Sequence, residues 1–142
     1  MATTTVTFSL RSSDLIPSQV LSMTTSKRLL KAGSASDGVD QMDMGRVDIV
    51  TGTNFDLIDS TTLGTDKSNY IYIANLTTTE SNYVVVSCKD HIIGRIYAGD
   101  FMWLPCNFDG ATNDIEVQAY VGTATLEYAV FHEGRTLGTA AD

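Results

Sequence analysis

Short apolar runs of strand length, separated by turn-forming residues about every 8–12 positions, constrain this chain more than any other feature. The rhythm is clearest over residues 69–104. Asn-Tyr-Ile-Tyr-Ile-Ala-Asn-Leu (69–76) is followed by a Thr/Ser/Glu/Asn loop and then by Tyr-Val-Val-Val-Ser-Cys (83–88). After Lys89-Asp90, a plausible hairpin tip, comes Ile-Ile-Gly-Arg-Ile-Tyr-Ala-Gly-Asp-Phe-Met-Trp-Leu-Pro (92–105). Residues 70–76 are apolar on both faces, which predicts a central strand covered on both sides. Residues 91–97 and 101–104 flank Ala98-Gly99-Asp100, which reads as the tight turn of a hairpin.

The rest of the chain follows suit. Residues 3–11 alternate, with Val6, Phe8 and Leu10 on one face and Thr5, Thr7, Ser9 and Arg11 on the other, a half-buried strand. Ser12-Ser13-Asp14 breaks it, and Pro17 favours an extended connection. Residues 19–25 and 27–32 read as two short strands, because Thr and Ser weaken a helix there. Residues 33–45 hold three Gly, three Asp and two Ser and read as a loop. Residues 46–51 and 55–57 read as strands about a turn at Gly52-Thr53-Asn54, and 59–69 as a polar connection. Ile115, Val117, Ala119 and Val121 alternate with Glu116, Gln118 and Tyr120. Residues 124–132 return past Gly122-Thr123, the best hairpin pattern in the chain. The expected fold is all-β: an antiparallel β-sandwich or jelly-roll-like barrel of about eight to ten short strands. It forms one domain over 1–142, with an extended N-terminal arm (1–18) and a loose C-terminal tail (133–142).

Composition narrows the function. At 142 residues and 43% hydrophobic content the chain can build one core. Its net charge is −8, from 9 basic and 17 acidic residues. The only basic cluster is Lys27-Arg28-Leu29-Leu30-Lys31, too little to displace counterions from a phosphate backbone or to hold an anionic membrane. No nucleic acid and no membrane is therefore expected as a partner. The N-terminus lacks a basic segment followed by an apolar one, so synthesis and folding in a cytoplasm are expected.

Chemistry is sparse. The two histidines, His91 and His132, read as a hairpin-tip residue and a strand-end surface residue. No Gly-x-Ser-x-Gly elbow and no phosphate-binding loop accompanies them. Cys88-Lys-Asp-His91 has a zinc-compatible spacing, but a structural site needs a second half-site. Cys88 reads as a small buried hydrophobe. A Cys88–Cys106 disulfide requires the two strands to be neighbours. Asp37, Asp40 and Asp43, like Asp109 and Asp114, read as solvated turn residues and do not match a calcium loop. The expectation is no enzyme activity, no cofactor, and no catalytic, cofactor-binding or metal residue. The aromatics Tyr70, Tyr72, Tyr83, Tyr97, Phe101 and Trp103 read as core and oligomer interface, with a sugar-stacking face as the competing reading. Tyr97, Asp100, Phe101 and Trp103 are the candidate interface residues.

Residues 5–24, Thr-Val-Thr-Phe-Ser-Leu-Arg-Ser-Ser-Asp-Leu-Ile-Pro-Ser-Gln-Val-Leu-Ser-Met-Thr, lead into Leu-Leu-Lys-Ala-Gly (29–33) and Gly-Val-Asp-Gln-Met-Asp-Met-Gly-Arg (38–46). Together with Ile-Gly-Arg-Ile-Tyr-Ala-Gly-Asp-Phe-Met-Trp-Leu-Pro (93–105) and Leu-Glu-Tyr-Ala-Val-Phe-His-Glu-Gly (126–134), this resembles small virion proteins of marine tailed bacteriophages, especially phages of cyanobacteria. The resemblance implies a β-sandwich structural protein on the virion, a decoration or cement protein on the capsid exterior. Its partners would be the major capsid protein and further copies of itself. A tail, knob or fibre module that recognises a host-surface glycan is the other reading. The resemblance carries no catalytic residues.

Overall fold

The computed structural model describes residues 3–133. Ten strands follow in order: β1 (Thr5–Ile16), β2 (Gln19–Arg28), β3 (Gln41–Ile49), β4 (Asn54–Ile58), β5 (Asn69–Asn75), β6 (Tyr83–Cys88), β7 (His91–Tyr97), β8 (Phe101–Pro105), β9 (Ile115–Tyr120) and β10 (Ala124–His132). Among the described residues one 3-10 turn, Ser60–Thr62, is capped by Asp59, whose side chain accepts the Thr61 N–H. The fold is all-β and antiparallel, as the alternation predicts.

β1 and β2 form a two-stranded ribbon, and the other eight strands form two four-stranded sheets. Sheet I has the order β3-β10-β5-β8 and sheet II the order β4-β9-β6-β7. The pairs nest: β3 with β10, β4 with β9, β5 with β8, β6 with β7. This is a long antiparallel hairpin rolled over on itself, the topology of a jelly roll.

The sheets close on one core because each strand turns its aliphatic residues the same way. Ile49, Ile71, Ile73, Leu126 and Val130 come from sheet I, and Leu57, Val84, Val86, Ile96, Ile115, Val117 and Ala119 from sheet II. Phe108 and Leu63, from the connections, also pack into this core. Each such large side chain contributes about 1.5–3 kcal/mol of burial free energy.

Several expectations are corrected. The pattern over 115–132 does not form a hairpin: β9 lies in sheet II and β10 in sheet I, so residues 121–123 arch between the sheets. Ala98-Gly99-Asp100 likewise joins β7 of sheet II to β8 of sheet I. A two-faced sandwich satisfies both alternating runs without pairing them to each other. Residues 12–14 do not end the first strand. They form a bulge in which Ser12 Oγ accepts the N–H groups of Asp14 and Leu15, and β1 continues to Ile16. Within the expected N-terminal arm, residues 5–16 pair with β2 as one strand of a ribbon. The turn between them places Ser18 at φ 69°.

No strand spans 27–32. There Leu29 is buried at the ribbon's base, donating its N–H to Thr4 and accepting from Val39. The 33–45 loop ends at residue 40, because β3 already begins at Gln41. His132 is buried, not a surface residue, with 6% exposure. Within the expected tail, Glu133 is buried and the remainder lies outside the described residues.

Candidate functional site

The outer face of an antiparallel sheet is usually polar, because water covers it. Sheet I departs from this. Cross-strand register places Met42, Phe131, Tyr70 and Pro105 in one row, and Met44, Ala129, Tyr72 and Trp103 in the next. A third row runs Arg46, Glu127, Ala74, Phe101. All of these alternate with the core residues of their strands, so they point outward. Their rings pack side by side. Tyr70 and Trp103 stack at 5.9 Å, Trp103 and Phe131 tilt at 5.6 Å, and Tyr72 and Phe101 at 6.2 Å. Met42, Met44 and Phe101 are at least half exposed. The Arg46–Glu127 pair, at 2.8 Å, is the one ion pair among the described residues within these rows.

The ribbon stands over part of this face. Val6, Phe8, Thr25 and Lys27 look across at Tyr72, Phe101 and Trp103, leaving a cleft of about 670 Å³ between them. The ribbon is itself two-faced. Register puts Val6, Phe8, Leu10, Leu21 and Met23 on the cleft side, and Thr7, Ser9, Thr24 and Ser26 on the other. Hydroxyls pair across that polar side, Thr7 with Ser26 at 2.9 Å and Ser9 with Thr24 at 3.4 Å. Phe8, Leu10, Leu15, Ile16, Val20 and Met23 all remain exposed. The sequence predicts a half-buried first strand, but apart from Val6 its apolar face stays largely exposed.

The outer face of sheet II has different chemistry. Tyr83 stacks on Tyr120 at 5.0 Å and tilts against Tyr97 at 5.5 Å. The Arg95 guanidinium lies 4.4 Å above the Tyr83 ring and donates to Tyr97 Oη. That hydrogen bond raises the already high pKa of Arg95. Asn54, donating to Glu116 at 2.9 Å, and Gln118 complete an open groove of about 490 Å³.

The four candidate interface residues therefore do not form one patch. Phe101 and Trp103 belong to the apolar face of sheet I, and Tyr97 packs against Tyr83 beside the groove of sheet II. Asp100 sits in the arch between them, where Oδ2 accepts the Tyr97 N–H at 3.2 Å. Met42, Met44, Ala129 and Phe131 were not singled out from sequence. Alternation over 42–48 is the signal for the two methionines, masked by the Asp and Gly residues between them.

The residues considered for chemistry are spread apart. His91 pairs with Cys88 across the β6–β7 hairpin, and among the described residues no group of three or more His, Cys, Asp or Glu converges. Both cysteines are free thiols. Burial pushes the Cys106 thiol up to about 11 and raises that of Cys88. Both His132 ring nitrogens are engaged, Nε2 with Asp43 at 2.9 Å and Nδ1 with the Glu133 carbonyl at 3.0 Å. Asp40 pairs with Lys31 at 2.8 Å, whereas Asp43 faces His132, so these two carboxylates have different partners.

Asp109 organises its own loop. Oδ1 accepts the N–H groups of Ala111, Thr112 and Asn113 and the Ser60 hydroxyl, and the backbone donors hold its carboxyl well below the usual range. No family model and no curated protein sequence matches this chain.

Proposed function

We propose that this chain is a non-enzymatic virion structural protein, a capsid decoration or cement protein that binds and reinforces the lattice of the major capsid protein. The observation that carries the reading is the apolar outer face of sheet I, continuous over four strands and flanked by an apolar ribbon. A face of Met, Phe, Tyr and Trp in water costs solubility unless a partner covers it, and such faces mark interaction surfaces. The resemblance to marine phage virion proteins names the partner class. Jelly rolls recur in viral capsid and lectin domains, which is compatible with the reading but assigns no function by itself.

The test is particle composition and stability. Purified virions should carry the protein in near-stoichiometric ratio to the shell protein. Particles stripped of it should lose their DNA at lower temperature, and adding back a Met44→Glu variant should restore less of that resistance than wild type. A few copies per virion would overturn the proposal.

The groove of sheet II favours a second reading, a tail or fibre module that recognises a host-surface glycan. Tyrosine rings bordered by Arg95, Asn54, Glu116 and Gln118 offer both stacking and hydrogen bonds to a sugar. Glycan-array binding lost in Tyr97→Ala or Tyr120→Ala, with the particle location at the tail, would favour it over capsid decoration.

A further inference from the structure

We propose that the β1–β2 ribbon of one copy docks by its tip into the ribbon-to-sheet cleft of a second copy, joining chains head to tail. This goes beyond attachment to a particle and holds for the free protein. Four observations lead to it.

The first is reach. Residues 5–16 of β1, at about 3.3 Å each, extend roughly 40 Å. Only the stretch Val6–Ser9 of that strand lines the chain's own cleft. The remainder, from Leu10 to the turn at Pro17, continues about 20 Å further. An antiparallel ribbon with continuous register from Thr5 to Ser12 cannot bend its own tip back into that cleft.

The second is apolar content at the tip. Leu15 and Val20 are 69% and 70% exposed, and Ile16 beside them is also exposed. A two-stranded ribbon is marginal in water by itself. Side chains of this kind at its end become stabilising only when a partner covers them.

The third is the shape and chemistry of the receiving site. The cleft is walled on both sides by apolar groups, Val6 and Phe8 on one side and Tyr72, Phe101 and Trp103 on the other. A Leu-Ile-Pro turn suits that space in both polarity and size.

The fourth is charge. The ribbon carries Arg11, Lys27 and Arg28 against Asp14 alone, although the chain holds 9 basic and 17 acidic residues. The ribbon is therefore net basic, and the rest of the chain is more acidic than the overall −8. Lys27 and Arg28 lie at the ribbon's base, so the docking tip, with Arg11 against Asp14, is neutral. Two acidic bodies repel, whereas a neutral tip meets no such penalty, which favours the head-to-tail arrangement over body-to-body contact. Such a contact is heterologous, with donor and acceptor surfaces on every copy, and it closes a ring when the rotation allows.

Sedimentation or light scattering of the full chain at tens to hundreds of micromolar should give masses that are multiples of 15.4 kDa. A tip variant, Leu15→Glu with Val20→Glu, and a cleft variant, Phe101→Glu, should each run as the monomer. Mixed together they should form a one-to-one dimer, because one intact tip and one intact cleft remain. Circular dichroism of each variant checks the sandwich, and Trp103→Thr replaces Phe101→Glu should that variant unfold. A monomeric wild type, variants that keep the wild-type mass, or a mixture that fails to pair would each overturn the proposal. Particle binding is measured separately, so loss of one result leaves the other readable.

Discussion

Asn75 and Asn82 meet inside the sandwich, where Nδ2 of Asn75 donates to Oδ1 of Asn82 at 3.1 Å with both side chains fully buried. Asn75 also donates to the Ile96 carbonyl at 3.3 Å. The Asn82 amide faces the carbonyls of Tyr120, Val121 and Gly122 at 3.2, 3.2 and 3.3 Å. The pair thus ties the β5–β6 connection to the strand end before the β7–β8 arch and to the β9–β10 arch. A chain that crosses between sheets leaves its arch carbonyls without ladder partners, and these two amides supply the missing donors.

Replacing Asn82 with Ala removes those donors and the acceptor for Asn75. The expected loss is about 2–3 kcal/mol, since buried groups left unpaired lose their full desolvation cost. For a chain of this size, that lowers the melting temperature by roughly 6–12 °C. Thermal denaturation followed by circular dichroism checks it. Asn82→Asp should be worse at neutral pH, because it places a buried carboxylate against three carbonyl oxygens.

Gly45 lies opposite Tyr128 on the inward face of sheet I, and the tyrosine ring fills the space that a side chain would occupy. A Cβ at Gly45 would sit 2.8 Å from the Tyr128 oxygen and 3.0 Å from its ring carbon Cζ. Gly45→Ala should therefore destabilise by about 1–2 kcal/mol through overpacking. The same change in a Tyr128→Leu background should cost less, and the difference in a double-mutant cycle measures the contact. Additive effects would show that the ring is not what demands glycine.

Asp109 predicts an acid-side stability profile. Its folded pKa is lowered by the backbone donors of Asn113, Ala111 and Thr112. A depressed carboxyl contributes stability that is fully present above the unfolded value of about 3.9 and is lost as pH falls from there toward the folded pKa. Asp59, lowered by its bonds from Thr61, acts in the same direction. Asp109→Asn keeps an acceptor oxygen but does not titrate. Urea midpoints for this variant should fall less steeply below pH 4 than those of wild type, while lying lower at pH 7. Parallel curves would show that Asp109 makes no contribution to acid sensitivity.

Facing was legible in the sequence, and so was the β6–β7 hairpin about Lys89-Asp90, but the pairing of the other strands was not. Alternation at Ile71/Ile73, Val84/Val86 and Ile115/Val117/Ala119 marks which side chains enter the core, because a period of two survives in any sandwich. An arch and a hairpin, however, use the same short left-handed turn: Val121 and Gly122 have φ of 61° and 92°, and Gly99 has 85°. The partner sheet is decided by long-range packing that no local pattern encodes. The candidate site shares this limit. Phe101 and Trp103 stand out as rings, yet Tyr97, four residues before Phe101, lies on the opposite face because the arch between them changes sheets. Met42 and Met44 were hidden within a Gly/Asp-rich run that reads as a loop until β10 pairs with it.

Cys106 is the residue where burial most directly predicts a rate. Its thiol is pushed up to about 11, first by burial and then by the neighbouring Cys88. At pH 8 that leaves roughly 0.1% thiolate, against about a quarter for an ordinary thiol of pKa 8.5. The higher intrinsic nucleophilicity of a more basic thiolate recovers about a factor of ten of that difference. Native Cys106 should therefore react with iodoacetamide at least about tenfold more slowly than the same residue in denaturant. Cys88, raised less than Cys106, should fall between the two. Alkylation time courses read by peptide mass spectrometry give all three rates. Equal rates for native and denatured Cys106 would show that the β8–β9 side of the sandwich opens readily in solution.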